Sequence, residues 1–175
     1  MKKSFIGALL TLGALGFVSA HFTLDHPKAR GFREDDEPNF CGGFTTNASG
    51  RQSFPLSGQT PIVISSHHPT AEVAIIISFN SNPTSFAQFK HKGQPNFLMP
   101  FGKIKGETSF CFNVDISSLR SRIPKISEGT LATLQVEYNG GDGLLYQCSD
   151  LILQKNFVTP KNVACVNGTL SNGSA

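Results

Sequence analysis

The chain has 175 residues, with 15 basic and 12 acidic side chains, four cysteines, 15 phenylalanines and no tryptophan. A formal charge of only +3 argues against the basic patch that a nucleic-acid or anionic-membrane partner requires. The length suits one domain with its own core.

Residues 1–20 read as a signal peptide. Lys2 and Lys3 precede an apolar, uncharged run from Phe5 to Phe17, which is too short to span a bilayer. Val18-Ser19-Ala20 then offers the small residues that a signal peptidase reads. Cleavage after Ala20 is expected, making His21 the first residue of a nearly neutral, secreted chain. In that compartment Cys41, Cys111, Cys148 and Cys165 read as two disulfides. A cysteine-ligated zinc site would need close pairs of the C-x-x-C kind, and the sequence has none. Four cysteines allow three pairings, which the sequence does not separate; Cys41–Cys148 with Cys111–Cys165 is the expectation taken. Asn47, Asn167 and Asn172 head glycosylation sequons, in keeping with secretion.

The segment from His21 to Phe44 is irregular and rich in proline and glycine. Beyond it the apolar residues alternate or cluster as in strands, over 61–65, 72–79, 110–116, 131–138 and 144–153. Phe110, Phe112, Val114 and Ile116 share one parity, and Thr133, Gln135 and Glu137 share the opposite face from their apolar neighbours. The glycine-rich stretch 139–143 predicts a hairpin. Strands of this length between Gly and Pro turns predict an all-β antiparallel sandwich over residues 21–166, with most phenylalanines in its core. Residues 167–175 read as a polar tail.

An N-terminal histidine is an unusual ligand, because its amine and ring Nδ1 close one chelate ring on a metal. A second imidazole would complete three nitrogens in the near-planar arrangement that suits Cu(II). His67-His68-Pro69 lies in a loop between two predicted strands, where it could carry that imidazole to the sandwich edge. Asp150, two residues after Cys148, is a candidate oxygen donor on a rigid strand.

The order and spacing of His21-Phe-Thr-Leu-Asp25-His-Pro, Arg30-Gly-Phe32, Glu37-Pro-Asn-Phe-Cys-Gly-Gly43, His68-Pro69, Asn82-Pro-Thr-Ser-Phe86, Phe110-Cys-Phe112 and Tyr146-Gln-Cys-Ser-Asp150 resemble the fungal copper-acquisition-factor family. These proteins are relatives of the lytic polysaccharide monooxygenases (LPMOs). The resemblance implies an immunoglobulin- or fibronectin-like sandwich holding one Cu(II) ion in a histidine brace. His21 would give its amine and ring, His68 its ring in preference to His67, and Asp150 an axial oxygen. It further implies copper handling at the cell surface or in the medium, with a membrane copper transporter as a partner, and no oxidative polysaccharide cleavage.

Thr70-Ala71 stand where the family often carries a tryptophan after the His-Pro pair. The rival expectation is a copper-dependent LPMO, and a third is a wall or adhesion module with incidental metal. His26 and His91 read as surface or turn residues, the run Glu34-Asp35-Asp36-Glu37 as a solvated loop, and Tyr138 and Tyr146 as packing groups. No G-x-S-x-G elbow or P-loop is present. The chain is expected to be a monomer, released rather than anchored, because it ends Asn-Gly-Ser-Ala without a hydrophobic tail.

Overall fold

Alternating apolar residues make each strand a two-faced ribbon, and the fold is the arrangement that hides one face of every ribbon. The computed structural model describes residues 21–160 and Val163. The proposed signal peptide, Cys165, Asn167, Asn172 and the tail lie outside the described residues.

Ten strands follow in chain order: β1 (Phe22–His26), β2 (Gln52–Pro55), β3 (Thr60–Ser66), β4 (Thr70–Ser78), β5 (Lys90–His91), β6 (Gln94–Pro95), β7 (Phe97–Lys105), β8 (Ser109–Val114), β9 (Leu131–Asn139) and β10 (Leu144–Gln154). One sheet has the order β1-β3-β8, the other β2-β10-β9-β4-β7, and β5 and β6 form a small separate ribbon. Short 3-10 turns such as Glu34–Asp36 and Phe40–Gly43 are the helical structure among the described residues.

Phe22, Leu24, Ile62, Ile64, Phe110 and Phe112 from the smaller sheet meet Val73, Ile75, Ile77, Leu134, Val136, Leu151 and Leu153 from the larger one, all buried. This is the expected all-β sandwich. Its larger sheet departs from pure antiparallel pairing in one place, where β2 runs parallel to β10 from Gln52↔Leu151 to Pro55↔Gln154. The remaining ladders are antiparallel, and β9 and β10 turn through the expected glycine-rich hairpin, with Gly141 and Gly143 at φ 110° and 136°.

Residues between β1 and β2 form a long loop that lies on the outer face of β9 and β10. A disulfide joins Cys41 in this loop to Cys148 in β10. Cys111 is also disulfide-bonded. Its expected partner, Cys165, lies outside the described residues. Arg30 is the second clasp, its backbone N–H donating to the Cys148 carbonyl at 2.8 Å. Gly31 follows because a Cβ there would stand 2.4 Å from the Phe44 ring. Among the described residues no helix is long and apolar enough to cross a membrane.

Candidate metal centre

β1 and β3 pair in the register Phe22↔Ser66, so the residue before β1 lies against the loop after β3. The backbone closes this junction, with the His67 N–H donating to the His21 carbonyl at 3.0 Å. Two segments separated by more than forty positions, His21 and His67-His68-Pro69, are thus brought to one edge of the sandwich by strand register alone.

The His68 ring is oriented from its own loop. Its Nδ1 lies 2.7 Å from the Thr70 carbonyl, an acceptor, so Nδ1 donates and Nε2 is the nitrogen left for a metal when the ring is neutral. Ser66 supports the turn, donating to the His68 carbonyl while sharing a 2.7 Å hydrogen bond with Tyr138. Tyr138 is fully buried and stacks on Phe22 with ring centroids 4.9 Å apart. It is a packing residue, as expected, but one that stiffens the floor beneath both histidines.

The His21 ring is held between two carboxylates. Nδ1 lies 2.9 Å from Glu37 Oε2 and Nε2 lies 2.6 Å from Glu34 Oε1. Glu34 is exposed, whereas Glu37 is buried with 1% of its side chain accessible. Gln147 Nε2 donates to Glu37 Oε1 at 2.9 Å and to the Phe22 carbonyl, while Gln147 Oε1 accepts from the Leu24 N–H at 2.9 Å. One amide of β10 therefore fixes both the start of β1 and the buried carboxylate. Burial pushes the Glu37 carboxyl up from its usual range, against the hydrogen bonds from Gln147 and His21 that pull it down.

Asp150 has a different position from the one expected. It shares its parity along β10 with Cys148, facing the covering loop, whereas Gln147 projects to the opposite face, toward β1. Arg30 clamps its carboxylate in a bidentate pair, Nε to Oδ2 at 2.9 Å and Nη2 to Oδ1 at 2.8 Å. The Asn47 N–H adds a bond to Oδ2 and Thr133 a bond to Oδ1, each 2.8 Å. Burial alone would raise this carboxyl; the bonds from Arg30, Asn47 and Thr133 outweigh it and hold the group below the ordinary aspartate value. Asp150, expected as an axial oxygen, is held here by Arg30, Asn47 and Thr133. It is the buried anchor of the loop, and the carboxylates at His21 are Glu37 and Glu34.

Glu37 was missed because an acidic run ordinarily lies in solvent. Its place inside the Glu37-to-Gly43 motif was the available signal. Asp25 accepts from Thr23 and Ser65, each at 2.7 Å, on the exposed side of β1. His91 lies in β5. Asn47 is exposed, with its side-chain oxygen turned to Ser49 and the Gly50 N–H.

Among the described residues no three His, Cys, Asp or Glu side chains form a ready-made metal cluster. A three-nitrogen set at this edge needs a main-chain donor, and the amine that cleavage before His21 would free is such a donor. The chemistry of the set fits a divalent ion of nitrogen preference: two imidazoles, one amine and adjacent negative charge.

Comparison with known proteins agrees in outline. A family model described as copper acquisition factor BIM1-like matches residues 19–170. The chain is 43% identical, over 171 residues and 95% of its length, to a protein named copper acquisition factor BIM1 from Cryptococcus neoformans var. grubii serotype A. It is 45% identical, over 152 residues and 85% of its length, to the protein of the same name from C. neoformans var. neoformans serotype D. The matches span 73% and 66% of those relatives, which therefore carry sequence beyond the shared region. Among solved structures, a polysaccharide monooxygenase CBM33 is similar at 17% identity and a TM-score of 0.46, over 77% of this chain and all of that one. Matched by the family model over residues 19–170 and 43% identical to a curated member over 95% of its length, this protein belongs to the copper acquisition factor BIM1-like family.

Proposed function

We propose that this protein is secreted and binds one Cu(II) ion, in copper acquisition or homeostasis, without cleaving polysaccharide. Cleavage after Ala20 frees the His21 amine, which with the His21 ring and His68 Nε2 makes the nitrogen set. The observation that supports this reading is the β1–β3 register, which sets His21 against the loop of His68, whose ring Nδ1 is turned to the Thr70 carbonyl. His68 is preferred to His67 because its ring is oriented by the Thr70 carbonyl.

Bound copper would supply a redox-active cation. This chain's own residues hold it and set the charge around it. Glu34 and Glu37 bring two carboxylates to His21, and negative charge favours Cu(II) over Cu(I). That bias suits holding copper for transfer and opposes turnover. The protein acts as a monomer at the cell surface or in the medium, gives its copper to a membrane copper transporter, and carries a glycan at the exposed Asn47, with Asn167 and Asn172 as further candidates.

The test is isothermal titration with Cu(II) on protein beginning at His21, on protein with one residue retained before it, and on His68→Ala. One-to-one binding by the first, with most of the affinity lost in the other two, is the expected result. Equal binding by all three removes the brace. Release of oxidised oligosaccharides from polysaccharide by the copper-loaded protein with a reductant would overturn the non-catalytic part.

A further inference from the structure

Two buried carboxylates in this protein have opposite surroundings. Asp150 faces the Arg30 guanidinium, and both groups are nearly inaccessible, so its charge is already matched. Glu37 is equally buried, yet its partners are neutral donors, Gln147 and the Phe22 N–H, and the His21 ring. That ring also meets Glu34, so two carboxyl groups converge on one imidazole. Buried charge is tolerated when it is paired or bound to a metal. A buried carboxyl oxygen set beside a ring nitrogen therefore marks the Nδ1 side of His21 as a place for a cation.

Distance points the same way. Two donors bound to one metal at about 2.0–2.2 Å and at right angles stand roughly 3 Å apart. His21 Nδ1 and Glu37 Oε2 are 2.9 Å apart. Replacing the shared proton with a metal thus asks for little movement of either group. Glu37 is also held as a ligand must be, since Oε1 is fixed by Gln147 and Oε2 is left facing His21.

We propose that Glu37, rather than Asp150, is the oxygen ligand of the metal at His21, and that Gln147 is its positioning residue. The inference rests on the copper reading above and adds an inner-sphere carboxylate to it. Glu34, exposed and opposite Nε2, orients the ring from outside.

The experiment uses the chain cleaved to His21 and loaded with one equivalent of Cu(II). Glu37→Gln should weaken binding by about ten- to a hundred-fold and shift the Cu(II) EPR parameters while leaving the nitrogen hyperfine pattern. Asp150→Asn, which keeps the shape and a hydrogen-bonding oxygen, should leave the spectrum unchanged. Because Glu37 is buried and its replacement can impair folding, the wild-type protein supplies a second measurement. Infrared difference spectra on adding copper, recorded with 13C-carboxyl glutamate and separately with 13C-carboxyl aspartate, should show the shifted carboxylate stretch in the glutamate label. A copper-shifted band in the aspartate label, or an unchanged spectrum in Glu37→Gln, overturns the assignment. Failure of the wild-type protein to bind copper one-to-one is a separate outcome and removes the brace itself.

Discussion

Replacing Asp150 with alanine should be among the most damaging single changes in the protein. The Arg30 guanidinium is 2% exposed and would keep only neutral oxygens as acceptors, from Phe44, Thr46 and Thr133. The Asn47 N–H and the Thr133 hydroxyl would also lose their carboxylate acceptor. Removing one partner of a buried ion pair costs about 3–5 kcal/mol, because the other charge remains in a poor solvent. For a domain of this size that corresponds to about 6–20 °C in melting temperature. The lowered pKa adds a pH signature. The folded-state value lies below the unfolded one, so the stabilisation is fully present above the ordinary aspartate range near 4 and is lost as pH falls through the folded value. Urea unfolding of wild type and Asp150→Ala from pH 7 down to pH 2.5 tests both parts. The gap between the two should be widest at neutral pH and should close in acid. A difference below about 1 kcal/mol at pH 7, the range of exposed ion pairs, would refute the buried-clasp argument.

Burial lowers the His26 pKa, so protonation favours the unfolded chain. Stability should therefore decline as pH falls from about 7 through the ordinary histidine value near 6.5. That slope should be reduced in His26→Gln; an unchanged slope assigns it to another group. Gly31→Ala would drive a methyl group into the Phe44 ring and should cost about 1–3 kcal/mol by overpacking. Adding Phe44→Leu should recover part of that loss in thermal melts, and strict additivity of the two changes would locate the strain elsewhere.

The strands legible in the sequence are those whose alternation is uninterrupted. β3, β4, β8, β9 and β10 fall where β-branched and aromatic runs predict them. β7 was missed because Pro100 and Gly102 break its run and all but one of its residues are partly buried or exposed. β1 is five residues long, and β2 is four and joins its sheet in parallel, so neither carries enough periodicity to stand out. At the candidate site, the proposal of His21 and His68 came from local chemistry, a proposed cleavage point and a loop between strands. Glu37 was not readable, because what distinguishes it from its acidic neighbours is a hydrogen bond to Gln147, 110 positions away. The Arg30 clamp that occupies Asp150 likewise spans 120 positions. Strand parity alone would have separated Gln147 from Asp150, had the face of β10 that meets β1 been known.

Gln147 has a further consequence for how quickly the site can load and unload. Chain ends ordinarily fray, so a ligand placed on one must be ordered at the moment of capture, which slows association and weakens the complex. Here the amide of β10 grips the Phe22 carbonyl and the Leu24 N–H from within the sandwich, and the His67 N–H holds the His21 carbonyl from the side. With cleavage before His21, as proposed, the ordering entropy of the first residues would be spent during folding. Capture and release of an ion then become exchanges among side chains on a stationary backbone, so the exchange rate should follow the acceptor's chemistry and concentration rather than any opening of the fold.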